Sequence, residues 1–159
     1  MLRHALPNDF NFVHALYMHP QVNPWLLYEP MDASEFMPVY EELLYRRVKY
    51  IFEIDGVPVG MCKLIPETHR SAHVLYLGGL AIAPHYAGRS YGRQLIEAVK
   101  THAQKNGFSR IALTVAVSNE KARRLYFKTG FREEGVLKQY TYIRSRNEYL
   151  DEMLMALLL

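Results

Sequence analysis

The sequence predicts an α+β domain, and three observations carry the prediction. Residues 74–131 read as strand, helix, strand, helix; two helical stretches precede them; and a hairpin lies between the two groups. Asn8-Asp9 caps a first helix running to about Met18, after which Pro20, Pro24 and Pro30 break the chain into an irregular connection. A second helix is expected from about Asp32 to Arg47, with Pro38 near its first turn or marking a later start. Tyr50 to Pro66 forms a hairpin around Asp55-Gly56, a common turn pair. His73 to Ile82 makes the central strand, and its Gly78-Gly79 pair predicts a bulge or an opening in the sheet. Tyr91 to Asn106 reads as a helix with Leu95, Ile96, Val99 and Ala103 on one face and Gly107 as its stop. Ile111, Leu113, Val115 and Val117 alternate as a strand, and Ser118 or Asn119 caps a short helix that Gly130 ends.

The chain has 159 residues, which suits one domain over 1–159, and it shows no repeat, low-complexity segment or linker. No run approaches the roughly 20 apolar residues of a membrane span, and Met1-Leu2-Arg3-His4 lacks the apolar region of a secretory signal. Cys62 is the single cysteine and sits in an apolar strand, which reads as a core thiol in a reducing compartment. The expectation is a cytoplasmic enzyme. Net charge is +3, but its distribution says more: residues 1–60 hold four Lys or Arg against eight Asp or Glu, and residues 85–130 hold nine against two. Arg89, Arg93, Lys121, Arg123, Arg124 and Lys128 can therefore screen an anionic nucleotide, although each alone also reads as solvated surface. Modest charge and the lack of exposed aromatics beside Lys or Arg argue against nucleic acid. His69 and His73 are four apart in a loop without a third ligand, so no metal site is expected.

The segment most pointed toward chemistry begins where a strand ends in Ile82-Ala83-Pro84 and opens into Ala87-Gly88-Arg89-Ser90-Tyr91-Gly92-Arg93. A glycine-bearing turn that starts a helix leaves several backbone N–H groups unpaired at the positive end of the helix dipole, a setting that suits phosphate. Neither the nucleotide-binding G-x-x-x-x-G-K-S/T loop nor a G-x-G-x-x-G turn is present. Downstream, Asn119, Ala122, Leu125, Tyr126, Gly130 and Phe131 match Asn-x-x-Ala-x-x-Leu-Tyr-x-x-x-Gly-Phe at every defined position. With these two pieces the chain resembles the GNAT superfamily of N-acetyltransferases. Their loop motif reads Gln/Arg-x-x-Gly-x-Gly/Ala, and this chain departs from it, with Ala87 and Ser90 at the first two defined positions and only Gly92 matching. The resemblance covers most of the chain: Arg3-His4-Ala5 with Asp9 looks like the opening strand and first helix start, and Gly135 to Arg144 with Asn147 to Met155 looks like the last two strands. It implies a mixed, mostly antiparallel sheet of about seven strands flanked by about four helices. It further implies an acetyl-CoA-dependent enzyme close to bacterial acetyltransferases of amino acids, polyamines and protein N-termini.

Carried over residue by residue, the resemblance implies an acetyl-CoA site at Leu80, Ala81 and Ile82, at Ala87 through Arg93, and at Asn119, Ala122, Leu125, Tyr126 and Lys128. Tyr126 corresponds to the tyrosine that protonates the departing thiolate, and the Leu80 N–H to the donor for the oxyanion. Asn119 orients the co-substrate or caps its helix. Trp25, Tyr28, Phe36 and Tyr40 border the acceptor pocket in the resembling family, with core packing the alternative for each, and Tyr76 is a further candidate acceptor-binding residue. The strand Val74 to Leu80 has no carboxylate, so the base is open between His73, Tyr76 or Glu67 acting through water, and no side chain at all. The acceptor is expected to be a primary amine on a small molecule or peptide, attacking directly. Apolar residues Met153 to Leu159 are compatible with a homodimer. The alternative is an acyl-CoA-binding sensor that kept the fold and lost turnover.

Overall fold

The computed structural model describes residues 1–159 and contains seven strands and four α-helices. In chain order these are β1 (Leu2–His4), α1 (Phe10–Met18), α2 (Ala33–Tyr45), β2 (Lys49–Ile54), β3 (Val57–Pro66), β4 (Val74–Ile82), α3 (Tyr91–Lys105), β5 (Arg110–Ala116), α4 (Glu120–Lys128), β6 (Arg132–Ile143) and β7 (Glu148–Leu158). The strands make one sheet in the order β1-β2-β3-β4-β5-β7-β6. Strands β4 and β5 are parallel, while β1·β2, β2·β3, β5·β7 and β6·β7 are antiparallel. The expected mixed, mostly antiparallel sheet with four helices is therefore present.

The chain divides into two compact units, Met1–Leu64 with Gly79–Leu95, and Ile65–Gly78 with Ile96–Leu159. In the first unit, Phe36, Tyr40 and Leu43 recur at helical spacing on α2 and are all buried, as Val13, Leu16 and Tyr17 are on α1. Asp32 starts α2 through a reciprocal cap: its Oδ1 accepts the Glu35 N–H at 2.9 Å, and its own N–H donates to Glu35 Oε2 at 2.9 Å. The helix begins at Ala33 and runs on through Pro38, because the cap fixes the first turn before the proline removes one N–H from the second. The expected cap of α1 differs. Asp9 is buried and accepts the Leu6 N–H at 2.8 Å and the Arg3 guanidinium at 2.7 Å, so it closes the turn before α1 instead of capping the helix. Asp55 (φ 49°) and Gly56 (φ 76°) form the left-handed pair that a tight hairpin requires.

In the second unit, Ile111, Leu113 and Val115 of β5 pair with Leu157, Met155 and Met153 of β7. All but Leu157 of these are buried, which accounts for the alternation of apolar residues. The parallel register of β4 with β5 ends at Tyr76↔Ala112, two residues before Gly78. Gly79 then turns left-handed at φ 54°, so the expected irregularity falls on the glycine pair.

Gly60 of β3 shows how tightly the first unit is built. A Cβ there would lie 2.8 Å from the Ala81 carbonyl oxygen and 2.5 Å from Ile82 Cδ1. Gly60→Ala should therefore destabilise the protein by about 1–3 kcal/mol, the usual range for overpacking. Denaturant unfolding checks this; an unchanged midpoint would show that Ala81 and Ile82 yield without cost.

Candidate active site

The segment after β4 forms a turn in which each backbone choice has a visible reason. Pro84–Tyr86 make one turn of 3-10 helix, closed by the Ala87 N–H donating to the Pro84 carbonyl at 3.0 Å. Gly88 follows at φ 81°, with open space where a Cβ would project. Ser90 takes φ 59°, the left-handed shape that glycine adopts at little cost, and its carbonyl accepts the first α3 bond from Gln94 at 3.1 Å. The N–H groups of Tyr91, Gly92 and Arg93 therefore precede the hydrogen-bond ladder and stand at the positive end of α3. Arg89 lies over the Tyr86 ring at 5.7 Å, and the Tyr86 and Tyr91 rings are 6.0 Å apart.

The second motif folds as the spacing requires. Asn119, not Ser118, caps α4, its Oδ1 accepting the Ala122 N–H at 3.2 Å. Tyr126 is buried on α4 and meets Phe131 edge-on at 5.6 Å, so two residues of the motif pack on one another across the turn at Gly130 (φ 104°). Glu120, Lys121, Arg124, Leu125 and Lys128 line a surface pocket on α4. Arg124 is paired with Glu120 at 3.0 Å, and Arg123 donates to the Val117 carbonyl at 2.9 Å, so the two arginines are tied locally.

Strand β4 separates the remaining candidates. Leu80, Ala81 and Ile82 follow the Gly79 break, with Ala81 buried and Leu80 and Ile82 half-buried. His73 precedes the strand, is exposed, and lies seven residues from Leu80, roughly 23 Å along an extended chain. Glu67 is also exposed, before the start of β4. Tyr76 shares a hydrogen bond with Thr114 Oγ1 at 3.0 Å.

The aromatic candidates also divide. Phe36 is fully buried and touches the rings of Phe10, His14, Tyr17, Tyr28 and Tyr40, so it is a core residue and not part of an accessible lip. Tyr28 is half-buried, edge-on to Tyr17 at 5.1 Å, and Trp25 is exposed on the preceding turn.

Sequence reasoning missed Lys49 and Lys63. They face each other directly across β2 and β3 and are both buried. Lys49 donates to the Tyr17 hydroxyl at 3.1 Å, and Lys63 lies over the Tyr28 ring at 5.4 Å. Burial, with Lys63 nearby, pushes Lys49 down to about 7, and burial lowers Lys63 as well. The available signal was a lysine within an otherwise apolar strand, in Val48-Lys49-Tyr50-Ile51 and again in Met61-Cys62-Lys63-Leu64. Burial also raises Cys62 to about 12, which removes it as a nucleophile at neutral pH.

The model of the acetyltransferase (GNAT) family matches residues 10–131. The chain belongs to that family. This acetyltransferase is 28% identical over 159 residues to the spermidine N(1)-acetyltransferase of Vibrio cholerae, covering 96% of this chain and 90% of that protein. It is likewise 28% identical over 161 residues to an L-amino acid N-acetyltransferase of Escherichia coli, covering 98% and 96%. Its fold matches the crystal structure of spermidine N-acetyltransferase from Vibrio cholerae in complex with CoA and spermine at a TM-score of 0.85, with 26% identity over 99% of this chain and 94% of that one. The chain is thus an acyltransferase, and the family's co-substrate is acetyl-CoA. The open space at Gly88 and the unladdered N–H groups of α3 fit such a phosphate-bearing molecule.

Ser90 makes the fit testable. A left-handed non-glycine residue costs roughly 1–2 kcal/mol, and more when β-branched. Ser90→Gly should keep acetyl-CoA affinity within about twofold, while Ser90→Val should weaken it by about tenfold or more. Calorimetric titration checks both; equal affinities for the two variants would show that this backbone shape is immaterial to binding.

Proposed function

We propose that residues 1–159 act as one domain that transfers the acetyl group of acetyl-CoA to a primary amine by direct attack, without a covalent enzyme intermediate. The observation that carries this reading is the complete second motif realised in folded form: Asn119 capping α4, Tyr126 buried on it, and Phe131 packed against the tyrosine. Acetyl-CoA supplies an activated thioester.

The chain's residues supply the rest. Ala87 holds the turn through its bond to Pro84, Gly88 through Arg93 offer backbone donors to the diphosphate, and Arg89, Arg93 and Lys128 add positive charge. Leu80 directs its N–H to the oxygen on which negative charge develops, and Ala81 and Ile82 continue the backbone edge that meets the pantetheine arm. Leu125 and Ala122 complete the nucleotide-facing side of α4. Tyr126 gives its proton to the departing thiolate: a phenol's ordinary pKa of roughly 10 lies close enough to a thiol's roughly 8.5 for that transfer in a dry site. In the transfer, the new N–C bond replaces the C–S bond, sulfur takes the phenolic proton, and the amine's proton passes through water back to the phenolate. The acceptor arrives as the free base, since β4 has no carboxylate to deprotonate it.

Tyr126→Phe separates this account from that of a sensor. The variant should lower kcat by about 10²- to 10⁴-fold, the usual worth of a positioned acid, with acetyl-CoA affinity within about threefold of wild type. Thiol release against a panel of amines, paired with calorimetry, reads both quantities. Loss of affinity with rate unchanged would sink the acid role, and a wild-type protein that binds acetyl-CoA but acetylates no amine would favour the sensor.

A further inference from the structure

The first unit contains a cationic cluster that the reaction does not explain. Lys49 and Lys63 stand directly opposite on neighbouring antiparallel strands, an arrangement that is destabilising for like charges. Neither belongs to any ion pair of the structure. The buried acids of this unit are engaged elsewhere: Asp9 and Glu53 both hold Arg3. Around the two ammonium groups lie the Tyr17 hydroxyl and the Tyr28 ring. Cys62 and Arg46 are near enough to act on them electrostatically.

The two lysines are not equivalent. Lys49 is 1% exposed and has a hydrogen-bond partner in Tyr17. Lys63 is 7% exposed, and neither a hydrogen bond nor an ion pair holds its Nζ. The Lys63 stem also borders the break in β4, where a Cβ on Gly79 would lie 3.6 Å from Lys63 Cε and 3.0 Å from the Tyr17 hydroxyl. Leu80, the proposed donor to the reacting carbonyl, is the next residue. A buried cation without an ion-pair partner, beside the residue that precedes Leu80, is therefore set for an anion that arrives with a ligand.

Resting on the acetyltransferase reading above, we propose that Lys63, supported by Lys49 and Tyr17, receives a carboxylate of the acceptor, so that the preferred acceptor is an amine that also carries a carboxylate and not a polyamine. A polyamine would bring further positive charge to two lysines that already oppose one another. A carboxylate gives Lys63 the charge-assisted partner it lacks and relieves that repulsion. The Tyr28 ring would then lie along the apolar part of the same acceptor.

The test compares kcat/KM for free L-amino acids, their carboxamides, dipeptides, putrescine and spermidine. The wild type should favour an amino acid over its carboxamide by about 10- to 100-fold, the range of a hydrogen bond to a charged group. Amino acids against dipeptides tell whether the carboxylate belongs to a free amino acid or to a peptide terminus. Lys63→Met should collapse the preference toward unity through KM, with acetyl-CoA affinity unchanged as the check of folding. A second readout is thermal stabilisation by N-acetyl amino acid in the presence of CoA, expected for wild type and lost in Lys63→Met. Preference for spermidine, an unchanged ratio in Lys63→Met, or equal or absent stabilisation in the two proteins would each overturn the proposal. Failure of the acetyltransferase reading looks different, since no acetyl-CoA would then bind at all.

Discussion

Strand β4 has to satisfy two demands, and the break at Gly79 is where both are met. Up to Tyr76 the strand is an ordinary parallel neighbour of β5, with its polar backbone groups paired in the sheet. At Gly79 the chain turns to φ 54°, and the space is so confined that a Cβ would sit 3.0 Å from the Tyr17 hydroxyl. Only glycine meets that backbone shape and that clearance together. Beyond it, Leu80 begins the short stretch on which the proposed chemistry depends, and Ala83 leads into the turn that opens α3. Sheet, break and turn thus follow one another within about a dozen residues, each set by local backbone geometry.

Catalytic sites tolerate local features that would be penalised elsewhere, and this chain has two kinds. Ser90 holds a left-handed backbone where glycine is usual in the family's pattern, and its carbonyl still starts the α3 ladder. Lys49 and Lys63 keep like charges together in an apolar setting, with burial lowering the affinity of each for its proton. The first feature shapes a loop that offers backbone donors. The second leaves Lys63 over the Tyr28 ring without an ion-pair partner, next to Gly79.

Much of the fold was legible because its signals are local. The alternation of Ile111, Leu113 and Val115, the helical stripe of Leu95, Ile96, Val99 and Ala103, and the Asn119 cap each rest on neighbours in the sequence. The motif from Asn119 to Phe131 was equally readable. What escaped depends on tertiary pairing. Asp9 looked like a helix cap, but Arg3 reaches it and turns it into the anchor of the preceding turn. Phe36 looked like an acceptor-binding aromatic, but five rings enclose it. Lys49 and Lys63 are fourteen positions apart in the chain, and their opposition exists only in the β2·β3 register.

The central claim is direct transfer to an amine while acetyl-CoA is bound, without an acetylated enzyme. Initial rates measured with both substrates varied test it most directly. Double-reciprocal lines that intersect are the predicted result, since both substrates must be present before either product leaves. Parallel lines, together with acetyl-enzyme detected by mass spectrometry in the absence of amine, would contradict the account and require a nucleophile that the buried, high-pKa Cys62 does not provide.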